Sequence, residues 1–168
     1  IGVDSDQAML FKGTDEAILK YLVENYVKER ETHSYKTGDL QEYNLKLNRI
    51  KNTSSVEEYE NFKRFMSKTN TASPIHFFGK DASRKAEITG FSFHRIKRQG
   101  IIANIKGFFQ PEPIPLKANV YYTLTTQIGS TIKSEKRLAI IGFKFSSWEE
   151  NDEYKMSFVV TEYKNYGL

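Results

Sequence analysis

The sequence predicts an α+β fold in which helices pack on one face of a curved antiparallel sheet of about four or five strands. Before Pro74, apolar residues recur at helical spacing in three segments. After Pro74, apolar and polar residues alternate in short runs, as they do in strands that are buried on one face. Helices followed by strands favour an antiparallel sheet over the alternating order that builds a parallel one.

Three helices are expected before Pro74. The first begins after Thr14, a capping residue that is followed by acidic residues, and covers 15–32. The second and third each begin with a capping-box pair, in which side chains three residues apart bond the free backbone N–H groups of the helix start. These pairs are Asp39 with Glu42 and Ser55 with Glu58.

Several strands are expected after Pro74. The alternation changes parity at Gly90, which predicts a bulge. Pro111, Pro113 and Pro115 predict an extended crossing that cannot pair as a central strand, because proline has no N–H to donate. Gly129 marks a hairpin turn. The expected strands cover 86–93, 101–109, 118–125, 138–145 and 154–163.

Length and composition predict one domain over residues 1–168. No run of about 18 apolar residues occurs, so no segment is expected to span a bilayer. The absence of cysteine excludes disulfides and thiolate chemistry. The net charge of +4 is modest for a dedicated nucleic-acid-binding module. Basic residues at 95–98 could contact single-stranded nucleic acid, but charged hairpin tips are usually solvated, so nucleic-acid binding is not expected.

Catalytic and metal-binding patterns are missing. His33, His76 and His94 are not spaced as metal ligands, and no phosphate loop or nucleophile elbow occurs. Glu162 shares strand parity with Val160 and is the best candidate for a buried carboxylate in a pocket between helices and sheet. The sequence therefore predicts a protein without catalytic residues, metal or cofactor. The alternative is a small-molecule binder or lyase-like enzyme that uses this pocket.

Aromatic residues are abundant, with 12 Phe and 10 Tyr. Tyrosine is enriched at protein interfaces, so the first helix is predicted to contact the same helix of a second copy. The alternative is that the helical tyrosines cover the sheet and extend their hydroxyls to water. The predicted interface residues are Leu19, Tyr21, Leu22, Val23 and Tyr26.

The segment Tyr26–His33 resembles the periplasmic domain of the inner-membrane assembly component of type IV secretion systems, the eighth VirB protein family. That family has Tyr-Val, two residues and then Arg-Glu, which correspond here to Arg30 and Glu31, followed by an aromatic residue where this chain has His33. The resemblance continues in order over most of the chain. It includes the helix over 39–53, the Ser54-Ser55 pair, the strand with His94, and Arg137-Leu138 leading to Gly142-Phe143.

One late segment departs from the family pattern. The family usually has Asn-Pro, one residue and then Gly, whereas this chain keeps only the glycine and otherwise has ordinary strand residues. The loss of a turn former and partner-recognition motif predicts a divergent paralogue with altered partners or oligomerisation. The residues at this place are Ala139, Ile140, Ile141, Gly142 and Phe143.

The resemblance implies a nuclear-transport-factor-like fold and a non-enzymatic scaffold for protein secretion or conjugation. It further implies a homodimer that binds other channel subunits and needs no small-molecule cofactor. The full protein would have a cytoplasmic tail, a single inner-membrane helix and this domain in the periplasm. Residues 1–13 would then be a flexible lead from that membrane anchor.

Overall fold

The computed structural model describes residues 13–34, 40–77, 80–94 and 114–168. Within these ranges the helices are α1 (Gly13–Glu31), α2 (Leu40–Thr53) and α3 (Val56–Phe65), followed by a 3₁₀ turn at Pro74–Phe77. The strands are β1 (His33–Ser34), β2 (Ala82–Phe93), β3 (Ile114–Ile128), β4 (Thr131–Glu150) and β5 (Glu153–Gly167). No helix of the described ranges is long and apolar enough to cross a membrane.

The five strands form one antiparallel sheet in the order β1-β2-β3-β4-β5. Three helices packed on a curved antiparallel sheet confirm the predicted α+β class. The turn between β4 and β5 consists of Asn151 and Asp152, whose φ angles are 52° and 61°. Tight hairpin turns with two positive φ angles favour Asn and Asp, because these side chains tolerate the left-handed region.

The core lies between the helices and one face of the sheet. Along β3, alternate side chains are buried from Leu116 to Leu124, as expected for a strand covered on one face. On α1, Leu19, Val23 and Val27 are fully buried against this face. Their spacing of four residues places them on a single stripe of the helix.

The predicted start of α3 is confirmed. Ser55 caps the helix, and its hydroxyl accepts a hydrogen bond of 3.2 Å from the backbone N–H of Glu58. The backbone N–H of Ser55 also donates to the carbonyl of Val160 on β5 at 2.8 Å. The junction of α2 and α3 is thereby tied to the edge strand of the sheet. Asp39, the predicted cap of α2, lies outside the described residues.

The predicted bulge at Gly90 is also confirmed, because the register between β2 and β3 shifts between Ile88 and Gly90. A second shift, which was not predicted, lies between β4 and β5. Gly142 pairs with Glu162 while Phe143 pairs with Val160, so one extra residue stands in β5. A bulge of this kind reverses the side to which the following side chains point.

Pro115 is not part of a crossing outside the sheet, as was predicted, because it lies within β3 and pairs with Lys144 of β4. The pairing of β2 with β3 ends at Ala118, beyond which the N–H of His94 donates to the carbonyl of Lys117. Among the described residues, β3 thus has a strand neighbour on one side only at Pro115, which is where a sheet tolerates proline. Pro111, Pro113, the predicted strand over 101–109 and the basic residues 95–98 lie outside the described residues.

Candidate functional site

The Arg-Glu pair of the recognised segment lies at the end of α1, where it meets α3 and β5. Arg30 is 8% exposed, and its Nη1 donates to Glu58 Oε1 at 2.6 Å and to the Tyr26 hydroxyl at 3.1 Å. The guanidinium carbon lies 4.1 Å from the ring centre of Tyr163 and 4.9 Å from that of Phe62. Burial by itself lowers the pKa of Arg30, but the combined effect of Tyr26, Tyr163 and Glu58 is larger and raises it. The pKa therefore lies above its usual value, and the side chain stays charged.

Glu31, the second residue of the pair, binds the sheet. Its Oε1 accepts hydrogen bonds from the Tyr163 hydroxyl at 2.6 Å and from Asn165 Nδ2 at 2.9 Å. Burial and the neighbouring Glu31 carboxylate raise the pKa of Tyr163 well above its usual value, so the phenol stays protonated and donates. Arg30 and Glu31 together join α1 to α3 and to β5.

The Ser54-Ser55 pair belongs to the same junction. The hydroxyls of Tyr26 and Ser54 lie 2.8 Å apart, and Ser54 Oγ donates to the carbonyl of Ile50 at 2.6 Å. The two segments that resemble the secretion family, Tyr26–His33 and Ser54-Ser55, therefore meet in one polar cluster inside the fold. This cluster has ionic and hydrogen-bonding partners for its charged groups, as buried polar groups require.

His33 is buried where the family resemblance leads one to expect an aromatic residue. Its Nε2 donates to the carbonyl of Arg30 at 2.8 Å. Burial, followed by the nearby charges of Lys46 and Arg84, lowers the pKa of His33 to about 3, so the ring is neutral at physiological pH. Within the described ranges, no group of three or more His, Asp and Glu residues is arranged to hold a metal ion.

Three of the five predicted interface residues on α1 do not reach the surface. Leu19 and Val23 are fully buried and Tyr26 is nearly so, because the apolar spacing marks the stripe that faces the core. That part of the interface prediction is corrected. Tyr21 is 66% exposed and Leu22 is partly exposed, so these two remain available to a partner. Tyr21 lies two positions from both Leu19 and Val23, which turns it to the opposite side of the helix.

The late segment at Ala139 lies in β4, in the middle of the sheet. Alternation puts Ala139, Ile141 and Phe143 in the core and leaves Ile140 half-buried on the other face. The interpretation of these positions as ordinary strand residues is confirmed. Gly142 stands at the bulge, where an added Cβ would lie 3.1 Å from Glu162 Cβ.

Glu162 is not the buried carboxylate that the strand parity predicted. The bulge in β5 turns it away from the helices, and its side chain is 36% exposed. Its carboxylate forms ion pairs with Lys164 at 2.8 Å and Lys117 at 3.2 Å, and these two lysines lower its pKa. The residue that motivated the enzyme alternative is therefore an ordinary paired surface acid.

Two clefts open beside α1. The larger, of about 770 Å³, lies between α1, α2 and β2 and is lined mainly by charged and polar residues. Arg49 crosses it, with Nε 3.0 Å from Glu29 Oε1 and Nη2 2.8 Å from Glu42 Oε1. The smaller, of about 240 Å³, is lined by Leu22 and Ile50 among others. The acidic groups that line the larger cleft nearest Arg49 are thus paired with it, which does not favour general acid or base chemistry there.

No family model matches the sequence, and no curated protein sequence matches it. Solved structures do match. A TrwG component of the type IV secretion system from Bartonella birtlesii has a TM-score of 0.61 and 17% identity, over 90% of this chain and 92% of that chain. Agrobacterium tumefaciens VirB8 has a TM-score of 0.63 and 15% identity, over 94% of this chain and 95% of that chain. The chain has the fold of these type IV secretion proteins.

A third neighbour, TraE in complex with 2-(2-furyl)isonicotinic acid, has a TM-score of 0.58 and 15% identity over 90% of this chain and 96% of that chain. The likeness covers nearly the whole length of each neighbour, so the VirB8 fold accounts for the helices and the sheet together. The fold that the resemblance at Tyr26–His33 implied is confirmed.

Proposed function

We propose that this chain is a non-enzymatic assembly scaffold of a type IV secretion channel. The observation that carries the proposal is the fold shared almost end to end with TrwG and VirB8. Fold alone does not assign function, so the arrangement of the side chains must agree with it. The full protein would be held by a single helix in the inner membrane, with this domain in the periplasm.

The buried polar groups support a structural role. Arg30 binds Glu58, which joins α1 to α3. Glu31 binds Tyr163 and Asn165, which joins α1 to β5. Groups held in this way fix the helices on the sheet. They are not poised to exchange protons with a substrate, which a catalytic acid or base must do.

Self-association is proposed to use the exposed side of α1. Tyr21 projects from the middle of the helix and is 66% exposed, and Leu22 beside it is partly exposed. Large aromatic side chains that can be buried at the centre of an interface contribute much of its binding free energy. A second copy that presents the same helix would cover both residues and form a symmetric dimer, with other surfaces left for further channel subunits.

Sedimentation equilibrium tests the dimer. The wild-type chain should dimerise reversibly, and Tyr21→Glu should raise the dissociation constant by about tenfold or more, because it places a charge in the apolar contact. Leu45→Glu is the matched control, since Leu45 is also an exposed apolar residue but lies on α2. A wild-type chain that stays monomeric at all concentrations would contradict self-association.

A deletion strain tests the scaffold role. Loss of this chain should prevent assembly of the channel complex, and the wild-type gene should restore it. Tyr21→Glu should restore it poorly and Leu45→Glu fully. Normal assembly and transport without the chain would overturn the proposed function.

A further inference from the structure

The face of the sheet that points away from the helices carries an apolar centre surrounded by lysines. The cross-strand row Tyr121, Leu138 and Tyr166 runs over β3, β4 and β5, and the two tyrosines are 38% and 47% exposed. Contiguous exposed apolar side chains of this kind mark interaction surfaces. We name this surface the outer patch. Its residues are Tyr121, Leu138, Ile140 and Tyr166 in the centre and Lys117, Lys136, Lys144 and Lys164 around them.

The outer patch is positively charged. Glu162 is the acid that lies among its lysines, and it pairs with Lys117 and Lys164. Lys136 and Lys144 form no ion pair with any carboxylate of the described residues, and both are exposed. Such a surface, apolar at its centre and cationic at its rim, is complementary to a partner with apolar and acidic side chains.

The opposite charge is found on the hairpin between β4 and β5. This hairpin extends past the start of β3 at Ile114, which pairs with Phe145. Its last nine residues, 148–156, are named the acidic tip and contain a single base, Lys155. Met156 and Tyr154 are 42% and 47% exposed there. The acids of the tip are Glu149, Glu150, Asp152 and Glu153.

The acidic tip contains an unfavourable arrangement. Glu150 lies directly opposite Glu153 in the strand pairing, and like charges placed opposite one another destabilise a hairpin. Glu153 is paired with Lys155 at 2.7 Å, but Glu149 and Glu150 have no ion-pair partner among the described residues. A cationic surface docked on the tip would relieve this repulsion.

The tip cannot reach the outer patch of its own chain. Both include residues of the extended strand β4, and Glu149, the acid of the tip nearest to Lys144 along that strand, is five residues or about 17 Å away from it. Contact between these two surfaces therefore requires two molecules. We propose that the acidic tip of one copy docks on the outer patch of the next, so that copies associate head to tail.

This contact joins two different surfaces, so it repeats from copy to copy and builds a ring or a filament. It leaves Tyr21 on α1 free. It is therefore separate from the symmetric dimer proposed above and does not depend on it, although a scaffold could use both contacts together.

A charge exchange between the two surfaces tests the proposal, in the Tyr21→Glu background so that the α1 contact does not contribute. The patch variant carries Lys136→Glu and Lys144→Glu. The tip variant carries Glu149→Lys and Glu150→Lys, which also removes the repulsion with Glu153. Asp152 is left unchanged because its φ is +61°.

Sedimentation velocity at about 50 mM salt should show concentration-dependent association of the Tyr21→Glu chain that weakens in about 0.5 M salt. The patch variant alone and the tip variant alone should each require at least about tenfold higher concentration to associate, because each presents two surfaces of like charge. An equimolar mixture should regain association, since each variant then meets its complement.

Lys51→Glu with Lys68→Glu is the control, because these lysines are exposed on α2 and after α3 and the net charge changes by the same amount as in the patch variant. It should associate like its parent. Circular dichroism should show that all variants unfold at similar temperatures. A parent chain that remains monomeric at low salt, or a mixture that associates no better than its separate variants, would overturn the head-to-tail contact. The effect of Tyr21→Glu alone, compared with the wild-type chain, tests the dimer on α1 and not the head-to-tail contact.

Discussion

Arg30 keeps its charge inside the fold because several groups replace the water that it gives up. Glu58 supplies a counter-charge at 2.6 Å, and the rings of Tyr163 and Phe62 present their electron-rich faces to the guanidinium at 4.1 and 4.9 Å. A buried ion pair gains little over apolar residues of the same volume, but each ion is costly once its partner is removed. The pair thus matters most for fixing where α1 meets α3.

We predict that Arg30→Met destabilises the domain by about 3–5 kcal/mol, because it leaves the Glu58 carboxylate buried without a counter-charge. Urea denaturation measures the change in the free energy of unfolding. The double variant Arg30→Met with Glu58→Met should recover most of the loss, since no buried charge remains. If the double variant lost as much stability as the two single variants added together, the pair would not be coupled.

The pair of Lys63 and Glu60 is a matched control. Its nitrogen and oxygen are also 2.6 Å apart, but both side chains are about half exposed. Lys63→Met should leave the free energy of unfolding almost unchanged, as is usual when an exposed ion pair is removed. Because the nitrogen–oxygen distance is the same in the two pairs, a difference between their effects on stability reports the effect of burial.

At the scale of the elements, the bulge in β5 decides which residues face the helices. The carbonyl of Val160, next to the extra residue Thr161, accepts a hydrogen bond from Ser55 at the junction of α2 and α3. Beyond the bulge, Glu162 points to the outer face. The bulge thus contributes Glu162 to the outer patch and leaves Tyr163 to meet Glu31 in the interior.

We predict that Gly142→Val destabilises the domain by about 1–3 kcal/mol, because its Cβ would lie 3.1 Å from the Cβ of Glu162 in the neighbouring strand. Gly167→Val is the control, since no atom lies within 4 Å of an added Cβ there. Thermal unfolding followed by circular dichroism compares the two. Equal effects at both glycines would show that the close approach at the bulge is not the cause.

Sequence reasoning succeeded for elements that depend on near neighbours in the chain. The cap at Ser55 and the bulge at Gly90 were predicted, because a hydroxyl three residues before a glutamate and a glycine at a change of parity are local signals. The bulge before Glu162 lies beside a hydrogen bond from Ser55, more than a hundred residues earlier, and no local sequence pattern marks it. Counting alternate residues from Val160 to Glu162 crosses this bulge and therefore assigns Glu162 to the wrong face of the sheet.

The candidate interface shows the same limit. Leu19 and Val23 do lie on an apolar stripe of α1, but this stripe faces the core and not a partner. Apolar residues at helical spacing are the usual pattern of a core-facing stripe. Tyr21 is informative because it is a large aromatic residue off that stripe. The contact of Arg30 with Glu58 joins two segments that are distant in the sequence. The family resemblance singled out Arg30 but did not predict this contact.

For the whole molecule, α1 is held on the sheet at both ends. Near its start, Asp15 accepts hydrogen bonds from Tyr154 at 2.7 Å and Ser147 at 3.0 Å, both on the hairpin of β4 and β5. At its end, Glu31 binds β5 again. Because both anchors include β5, the exposed side of α1 and the acidic tip are held in a fixed relation within each copy.

The stability of the whole domain should fall in mild acid because His33 is buried as a neutral ring. Its pKa is about 3 in the folded chain, against about 6.5 in an unfolded one. Between these values the unfolded chain binds a proton that the folded chain does not, so the contribution of His33 is complete above pH 6.5 and is lost as the pH falls towards 3. From pH 7.5 to 5.5 we expect the free energy of unfolding to fall by roughly 1 kcal/mol because of His33.

We predict that His33→Gln removes this part of the pH dependence. Glutamine stays neutral, and its amide can donate to the carbonyl of Arg30, as His33 Nε2 does at 2.8 Å. The measurement is the free energy of unfolding in urea at pH 7.5 and 5.5. His76→Gln, at an exposed histidine, should leave the change with pH as in the wild-type chain. If the His33→Gln domain lost as much stability between these two pH values as the wild type, His33 would be able to take up its proton without unfolding.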